Sequence, residues 1–379
     1  MNISSFQSNL DFIKSLYFHK EWKDENCWAE ILEALEEANR KIEKAFSGSM
    51  HRLLEHKPSI KVVEKVVKKF PATLSFRDDR GRIPIQCAAI TPNGYEYVPV
   101  LAKEGVKHDV GGEDVRGGLL MVDPREIYGW NTLQWFVRAG DGKDDTKRAK
   151  VLKELRNSGL LVKKDIVEQQ LLAYCCWKRS EMRFEYLVDW DPDALIETRV
   201  RNTPLIHCMS SASASEESLL LTLKAGFQYH PQIGGLLFVK DDEGTTAFDA
   251  LCNEKGTANI MSLLHQILSP KRDYPILHQI FVKAPQHINL FMKKFPWAYN
   301  LKDHNGRTLH QTVLAAGPDV MNANDILLAT LTDNQIQTKD PITTLYPFAA
   351  MAVGEHADLE NTFYLLRRLP SVMDRDSRQ

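Results

Sequence analysis

The residues best suited to phosphate chemistry lie in one glycine-rich segment. Residues 111–118 read GGEDVRGG, and a loop of this kind presents backbone N–H groups to an anion. The segment has neither the GxGxxG spacing of a dinucleotide-binding loop nor the GK[ST] ending of a P-loop. Its second half returns as Gly234-Gly235 without a counterpart of Arg116, so it is interpreted as a repeated structural turn. No cofactor is expected.

Metal and nucleophile chemistry have equally weak signatures. The six cysteines and twelve histidines contain no CxxC, HxxxH or HExxH spacing, and no GxSxG elbow is present. Cys87, Cys208 and Cys252 follow similar turn motifs, where a small buried residue is wanted, and they are predicted to be reduced core residues. The chain is therefore expected not to be an enzyme. The alternative is a catalytic site in an insertion, near His108, Asp109, Glu113 and Asp114.

Lysines recur at helical spacing over residues 57–69. The apolar residues of this segment are predicted to form the inner face of a helix that stops at Pro71, and they are Val62, Val63, Val66, Val67 and Phe70. A solvated outer face is the usual explanation for such lysines, and a nucleic-acid-associated protein is the alternative. The formal net charge of −2, from 48 basic and 50 acidic residues, argues against that alternative. The lysines are Lys57, Lys61, Lys65, Lys68 and Lys69.

The N-terminal residues 1–50 differ from the rest of the chain. Apolar residues from Trp28 to Phe46 follow helical spacing, which predicts an amphipathic helical cap over the segment that follows. The first residues show no basic region followed by an apolar run, and no stretch reaches the roughly 18 apolar residues of a membrane helix. An intracellular, cytoplasmic protein without a membrane anchor is expected.

Two markers repeat along the chain at nearly the same interval. GGLLMVD at residues 117–123 returns as GGLLFVKD at residues 234–241, an interval of 117 residues. FPATL at residues 70–74 returns as DPDAL at residues 191–195, an interval of 121 residues, and again as FPWAY and LPSVM. Such copying predicts stacked repeats rather than one globular core.

Each repeat unit shows the same sequence features in the same order. A helix ends at a proline, a polar turn with glycine follows, and a short helix with small residues begins next. The turn reads RDDRG at residues 77–81, DDEG at 241–244 and DHNG at 303–306. At residues 199–204 Arg201 stands where the turn glycine is expected, and a charged loop at 141–148 marks an internal break near residues 140–150.

These residues resemble the ankyrin repeat family. The family pattern D-x-x-G-x-T-P-L-H-x-A, with a second helix ending L-L-x-x-G, is matched best by residues 202–205, 221–226 and 303–308. The resemblance implies structural roles for Thr203, Pro204, Leu205 and His207, with His310 as a second histidine. It also implies that the partner is another protein, bound along the repeat tips and the concave face.

The sequence therefore predicts an all-α fold, an ankyrin-like helical repeat solenoid with irregular, insertion-bearing repeats. The cap occupies residues 1–50, the array of seven or eight units residues 51–373, and a polar tail residues 374–379. The predicted function is that of a non-enzymatic scaffold or adaptor, with nucleic acid not the expected partner. The partner-binding candidates are Arg77, Arg80, Arg82, Trp130, Arg199, Arg201, Lys302, His304 and Arg307.

Overall fold

A computed structural model describes residues 49–112, 115–122, 129–140, 144–211, 214–268 and 274–316, together with isolated positions closer to the C-terminus. The fold is all-α, as predicted. The predicted N-terminal cap, the LPSVM copy at residues 369–373 and the polar tail lie outside the described residues, apart from positions 49 and 50. The described residues divide into two compact units, with the boundary after Ala194.

The first unit contains nine α-helices in its described part. They are α1 (Ser49–Glu55), α2 (Ile60–Lys69), α3 (Pro84–Ile90), α4 (Val98–Lys107), α5 (Thr132–Arg138), α6 (Asp145–Asn157), α7 (Asp165–Glu168), α8 (Leu171–Trp177) and α9 (Glu181–Trp190). Helices α1, α3, α5 and α8 contact one another in succession, and so do α2, α4, α6 and α9. Eight of the nine α-helices thus form two rows, in which each helix contacts the next member of its own row, and the short α7 contacts α8.

The second unit has the same short, paired helices. Helix α10 (Ala194–Glu197) spans the boundary, and a two-stranded antiparallel ribbon follows. The remaining elements are β1 (Arg199–Val200), β2 (Thr203–Pro204), α11 (Leu205–Cys208), α12 (Glu216–Tyr229), α13 (Ala247–Lys255), α14 (Thr257–Ile267), α15 (Ile276–Lys283), α16 (Ile288–Lys294) and α17 (Leu309–Ala316). Contacts join α11 to α13, α12 to α14 and α15 to α17.

Helix α2 differs from its sequence prediction in how much of it is buried. Only Val63 and Val67 are fully buried, whereas Val62 is 43% exposed and Phe70 is 36% exposed. Two residues four positions apart cover a narrow stripe, so the contact with α4 needs less apolar surface than the predicted face offers. The helix ends at Lys69, just before the proline predicted to stop it.

Two buried arginines join the ends of three helices in the first unit. Arg183 donates hydrogen bonds to the carbonyls of Val137 and Ala139 and pairs with buried Asp145, with Nε 2.5 Å from Oδ1. Arg148 donates to the carbonyls of Ala89 and Phe136, both at 3.0 Å. These carbonyls lie at or just past the C-terminal turns of α3 and α5, which have no intrahelical donors. Burial and the neighbouring charge of Arg183 lower the pKa of Arg148 to about 10.

The turn at residues 200–203 explains the arginine at the expected glycine position. Val200 pairs with Thr203, so Arg201 and Asn202 form a two-residue hairpin turn, and both have positive φ (51° and 69°). This is the backbone of a type I′ turn, for which asparagine is favoured. The turn is therefore shorter than the glycine-containing turns elsewhere in the chain, and Arg201 is not the counterpart of their glycine.

Candidate functional site

The turn from Asp78 to Arg82 is built by one carboxylate. Oδ1 of Asp78 accepts the backbone N–H groups of Arg80 (2.9 Å) and Arg82 (2.8 Å). Oδ2 accepts Nε (3.0 Å) and Nη2 (2.8 Å) of the Arg82 guanidinium. Gly81 has φ of 83° and donates to the carbonyl of Asp78. Burial raises the pKa of Asp78, but these hydrogen bonds and the charge of Arg82 outweigh burial, and the pKa falls to about 2.

The same turn recurs twice in the second unit. Asp241 accepts the backbone N–H groups of Glu243 and Thr245, and Asp303 accepts those of Asn305 and Arg307, at 2.8 to 3.0 Å. The glycines of both turns have positive φ. These three DxxG turns therefore share one local structure, because the aspartate satisfies turn N–H groups that have no other acceptor within the described residues.

A histidine from the second α-helix before each of these turns binds the backbone in the turn or just ahead of it. Nε2 of His51 lies 3.0 Å from the carbonyl of Arg82, and Nε2 of His278 lies 3.0 Å from that of Arg307. His207 contacts the carbonyl of Val239 at 2.9 Å. A carbonyl only accepts, so in each histidine Nε2 carries the hydrogen and, in the neutral ring, Nδ1 has a lone pair.

The first of these turns borders a cavity of about 410 Å³. Its cationic residues are Arg52, Arg77, Arg80 and Arg82, and its carboxylates are Glu55, Asp78 and Asp79. Arg52, Arg77 and Arg80 are exposed. Arg82 is held by Asp78, and Arg77 donates to the carbonyl of Gly81 at 2.5 Å. Within the described part of the chain, no hydrogen bond or ion pair engages the Arg80 guanidinium.

The structure brings together the three candidates of the first tip. Arg77, Arg80 and Arg82 line this one cavity, with His51 and Cys87 beside them. The sequence interpretation placed Cys87 in the core, but its side chain is only half-buried, as are those of Cys208 and Cys252. His51 was not predicted as a site residue. The signal that identifies it is its order, in the second α-helix before a DxxG turn, as for His278.

The other candidates are spread over both units. Trp130 is half-buried and not an exposed anchor, because it packs edge-on against Trp135 (centroids 4.9 Å apart) and beneath the Arg138 guanidinium at 3.8 Å. Arg199 pairs with Asp242 at 3.2 Å, and Nη2 of Arg307 lies 3.1 Å from Oδ2 of Asp303. The remaining candidates are exposed residues of turns in the second unit, namely Arg201, Lys302 and His304.

The two alternative interpretations, a nucleic-acid-associated protein and an enzyme, depend on residues that the structure describes to different extents. All five lysines from Lys57 to Lys69 are exposed, and within the described residues none forms an ion pair. His108 and Asp109 are exposed on the surface and do not line the described cavity, whereas Glu113 and Asp114 lie outside the described residues. Arg116 of the glycine-rich segment forms a bidentate pair with buried Asp165, at 2.6 and 2.7 Å.

In the described part of the chain, no helix is both long and apolar enough to cross a membrane. Comparison with known proteins found no matching family model, no similar curated protein and no similar solved structure.

Proposed function

We propose that this protein is a non-enzymatic binding module, an ankyrin-like helical array that binds an acidic segment of another protein at the cavity beside Asp78–Arg82. The array is supported by the two rows of successive helix contacts in the first unit and by the recurring DxxG turns. Cytoplasmic location and a scaffold or adaptor role belong to the same proposal.

The observation that carries the proposal is the convergence of Arg77, Arg80 and Arg82 on one cavity. Four arginines face three carboxylates there, and Arg82 already neutralises Asp78. The exposed guanidiniums of Arg52 and Arg80 have a carboxylate-binding fork geometry that is not used inside the described structure. A glutamate or aspartate side chain fits a cavity of this size and gains two-pronged hydrogen bonds from arginine.

The test compares an acidic peptide with single-stranded nucleic acid, each fluorescently labelled, by anisotropy at two salt concentrations. We expect the wild type to bind a glutamate-rich peptide and not its glutamine counterpart. Arg52→Glu/Arg80→Glu is expected to weaken this binding at least tenfold, a loss of about 1.4 kcal/mol. Arg77 and Arg82 are left intact because their guanidiniums donate hydrogen bonds within the turn.

Lys65→Glu is the matched control, since it makes the same kind of charge change on an exposed residue outside the cavity. If Lys65→Glu weakened peptide binding as much as the double change does, the cavity would not be the binding site. The second candidate function, nucleic-acid binding, is favoured by the exposed lysines of Lys57–Lys69. It predicts that the oligonucleotide binds, that Lys65→Glu weakens it, and that its affinity falls steeply with salt.

A further inference from the structure

Three potential metal ligands lie together on the lining of the same cavity. A ring nitrogen of His51, a carboxylate oxygen of Asp78 and Sγ of Cys87 all lie within 4.8 Å of one another. The thiol of Cys87 is 3.4 Å from Oδ2 of Asp78, to which it donates. Imidazole, carboxylate and thiolate are the three ligand types that zinc takes from proteins.

The imidazole ring of His51 has the orientation that is typical of a metal-binding histidine. The His51 side chain is nearly buried, with 8% exposed, and its Nδ1 is buried and has no hydrogen-bond partner among the described residues. Its Nε2–H donates to the carbonyl of Arg82, the outer contact that fixes the ring and leaves Nδ1 with a lone pair. A buried polar atom without a partner is costly unless something binds it.

We propose that Nδ1 of His51, Oδ2 of Asp78 and Sγ of Cys87 bind a zinc ion, with a water from the cavity as fourth ligand. Ligands at zinc bond lengths of about 2.0–2.3 Å lie roughly 3.5 Å apart in a tetrahedron, close to the observed separation of Sγ and Oδ2. The ion replaces the thiol hydrogen: the S–H bond breaks, an S–Zn bond forms, and one proton leaves to solvent. The site does not depend on the proposed function, although it shares the cavity.

The position of Arg82 beside this site predicts how its substitution changes zinc affinity. Its guanidinium donates two hydrogen bonds to Oδ2, which also accepts the Cys87 thiol, so Arg82 competes with the metal for this oxygen. Its positive charge also repels the ion and lowers zinc affinity. Arg82→Gln is therefore expected to tighten zinc binding while it weakens an acidic peptide, so the two proposals fail separately.

The second unit contains a natural control. His278 has the same carbonyl contact and the same buried Nδ1 without a partner, beside the Asp303 turn. Thr312 stands nine residues after Asp303, where Cys87 stands nine residues after Asp78, and its hydroxyl donates to the carbonyl of Thr308 at 3.2 Å. The unpartnered nitrogen thus belongs to the repeated unit, and the thiol is what distinguishes the first copy. Cys87→Thr reproduces the second copy at the first site.

The experiment titrates the full-length, reduced, metal-free protein with zinc against a chromophoric chelator, and with Co²⁺ by absorption spectroscopy. We expect one zinc equivalent and a thiolate-to-cobalt charge-transfer band. Cys87→Thr and His51→Gln are expected to weaken zinc binding at least a hundredfold, whereas His278→Gln and Cys252→Ser leave it unchanged.

A second measurement does not depend on the folding of any variant. Zinc added to the wild type is expected to protect Cys87 from alkylation more than Cys252, as read by mass spectrometry of the modified peptides. Absence of both the cobalt band and the protection overturns the proposal. Zinc binding of equal affinity in Cys87→Thr also overturns it, because the metal then lies elsewhere.

Discussion

At the scale of single residues, Asp78 connects the turn to the cavity through its hydrogen bonds. Its two oxygens accept two backbone N–H groups, the Arg82 guanidinium and the Cys87 thiol. The carboxylate therefore shapes the turn, positions Arg82 and offers an oxygen to the proposed metal site. A residue with this many partners links local folding directly to the chemistry of the cavity.

The depressed pKa of Asp78 predicts an acid-dependent loss of stability. The unfolded chain binds a proton near the ordinary value of 3.8, and the folded chain only near 2. The contribution is thus fully present above pH 4 and is lost as the pH falls through 2. Because one pKa unit corresponds to about 1.4 kcal/mol, Asp78→Asn should lower the free energy of unfolding at pH 7 by at most about 2 kcal/mol.

Urea unfolding of the metal-free protein from pH 7 to pH 2, with a chelator present, measures this effect. Glu243→Gln is the control, since it removes an exposed carboxylate from a turn of the same kind. The wild type and Asp78→Asn should converge in stability at low pH. A constant difference between them at every pH would show that Asp78 acts through something other than its charge.

At the scale of elements, glycines set how closely helices and turns approach. Gly117 has φ of 66°, and a Cβ there would lie 2.1 Å from the carbonyl oxygen of Ala102 in α4. Its neighbour Gly118 also has positive φ, and Gly234 and Gly235 repeat the pair in the second unit. Gly117 therefore makes a close backbone contact with α4, whereas a Cβ at Gly234 or Gly235 would meet the side chains of Phe238 or Phe227. In both units the recurring GGLL sequence forms a turn, as the sequence interpretation predicted.

Alanine substitutions of Gly117 and Gly129 separate two contributions to the loss of stability, the steric contact of the added methyl group and the strain of the backbone conformation. Both have φ of 66°, but a Cβ at Gly129 would meet no described atom within 4 Å. Alanine at either position pays about 1 kcal/mol for the left-handed backbone. Gly117→Ala should cost a further 1–3 kcal/mol because the methyl group displaces α4.

Thermal or urea unfolding of the two variants checks this prediction. Equal losses of stability in Gly117→Ala and Gly129→Ala would mean that the backbone conformation alone matters.

The buried arginines also act at the scale of elements. Arg148 and Arg183 donate hydrogen bonds to helix-end carbonyls that accept no backbone N–H group within the described residues.

At the scale of the whole molecule, the proposed array predicts that stability is local. In such arrays each unit is stabilised mainly by its neighbours. Phe136 is fully buried in α5, which contacts α3 and α8. Phe136→Ala, a loss of about 3–5 kcal/mol in a core, should speed amide hydrogen exchange in α3, α5 and α8 and leave α13 and α14 unchanged.

Leu251→Ala is the reciprocal variant, because Leu251 is fully buried in α13 of the second unit. It should speed exchange in α13 and α14 and leave α3 and α5 unchanged. Hydrogen exchange read by mass spectrometry distinguishes the cases. Acceleration of all these helices by either substitution would indicate one cooperative core and would contradict the array.

Local patterns were readable from the sequence because they depend on neighbours along the chain. The DxxG turns form as predicted because aspartate, glycine and the intervening N–H groups lie within five residues. The end of α2 before Pro71 follows from the missing N–H of proline. Arg201 was misleading because an asparagine beside it allowed a shorter turn with a different backbone.

By itself, the sequence determined an all-α chain with repeated turns, since helix periodicity, proline and glycine act over a few residues. Only the tertiary structure decided that Val62 is exposed, that Trp130 packs against Tyr174, and that His51 meets Cys87 beside Asp78. Those outcomes depend on which helices pack together, because contacts between residues tens of positions apart leave no spacing to read. The candidate site is of this second kind.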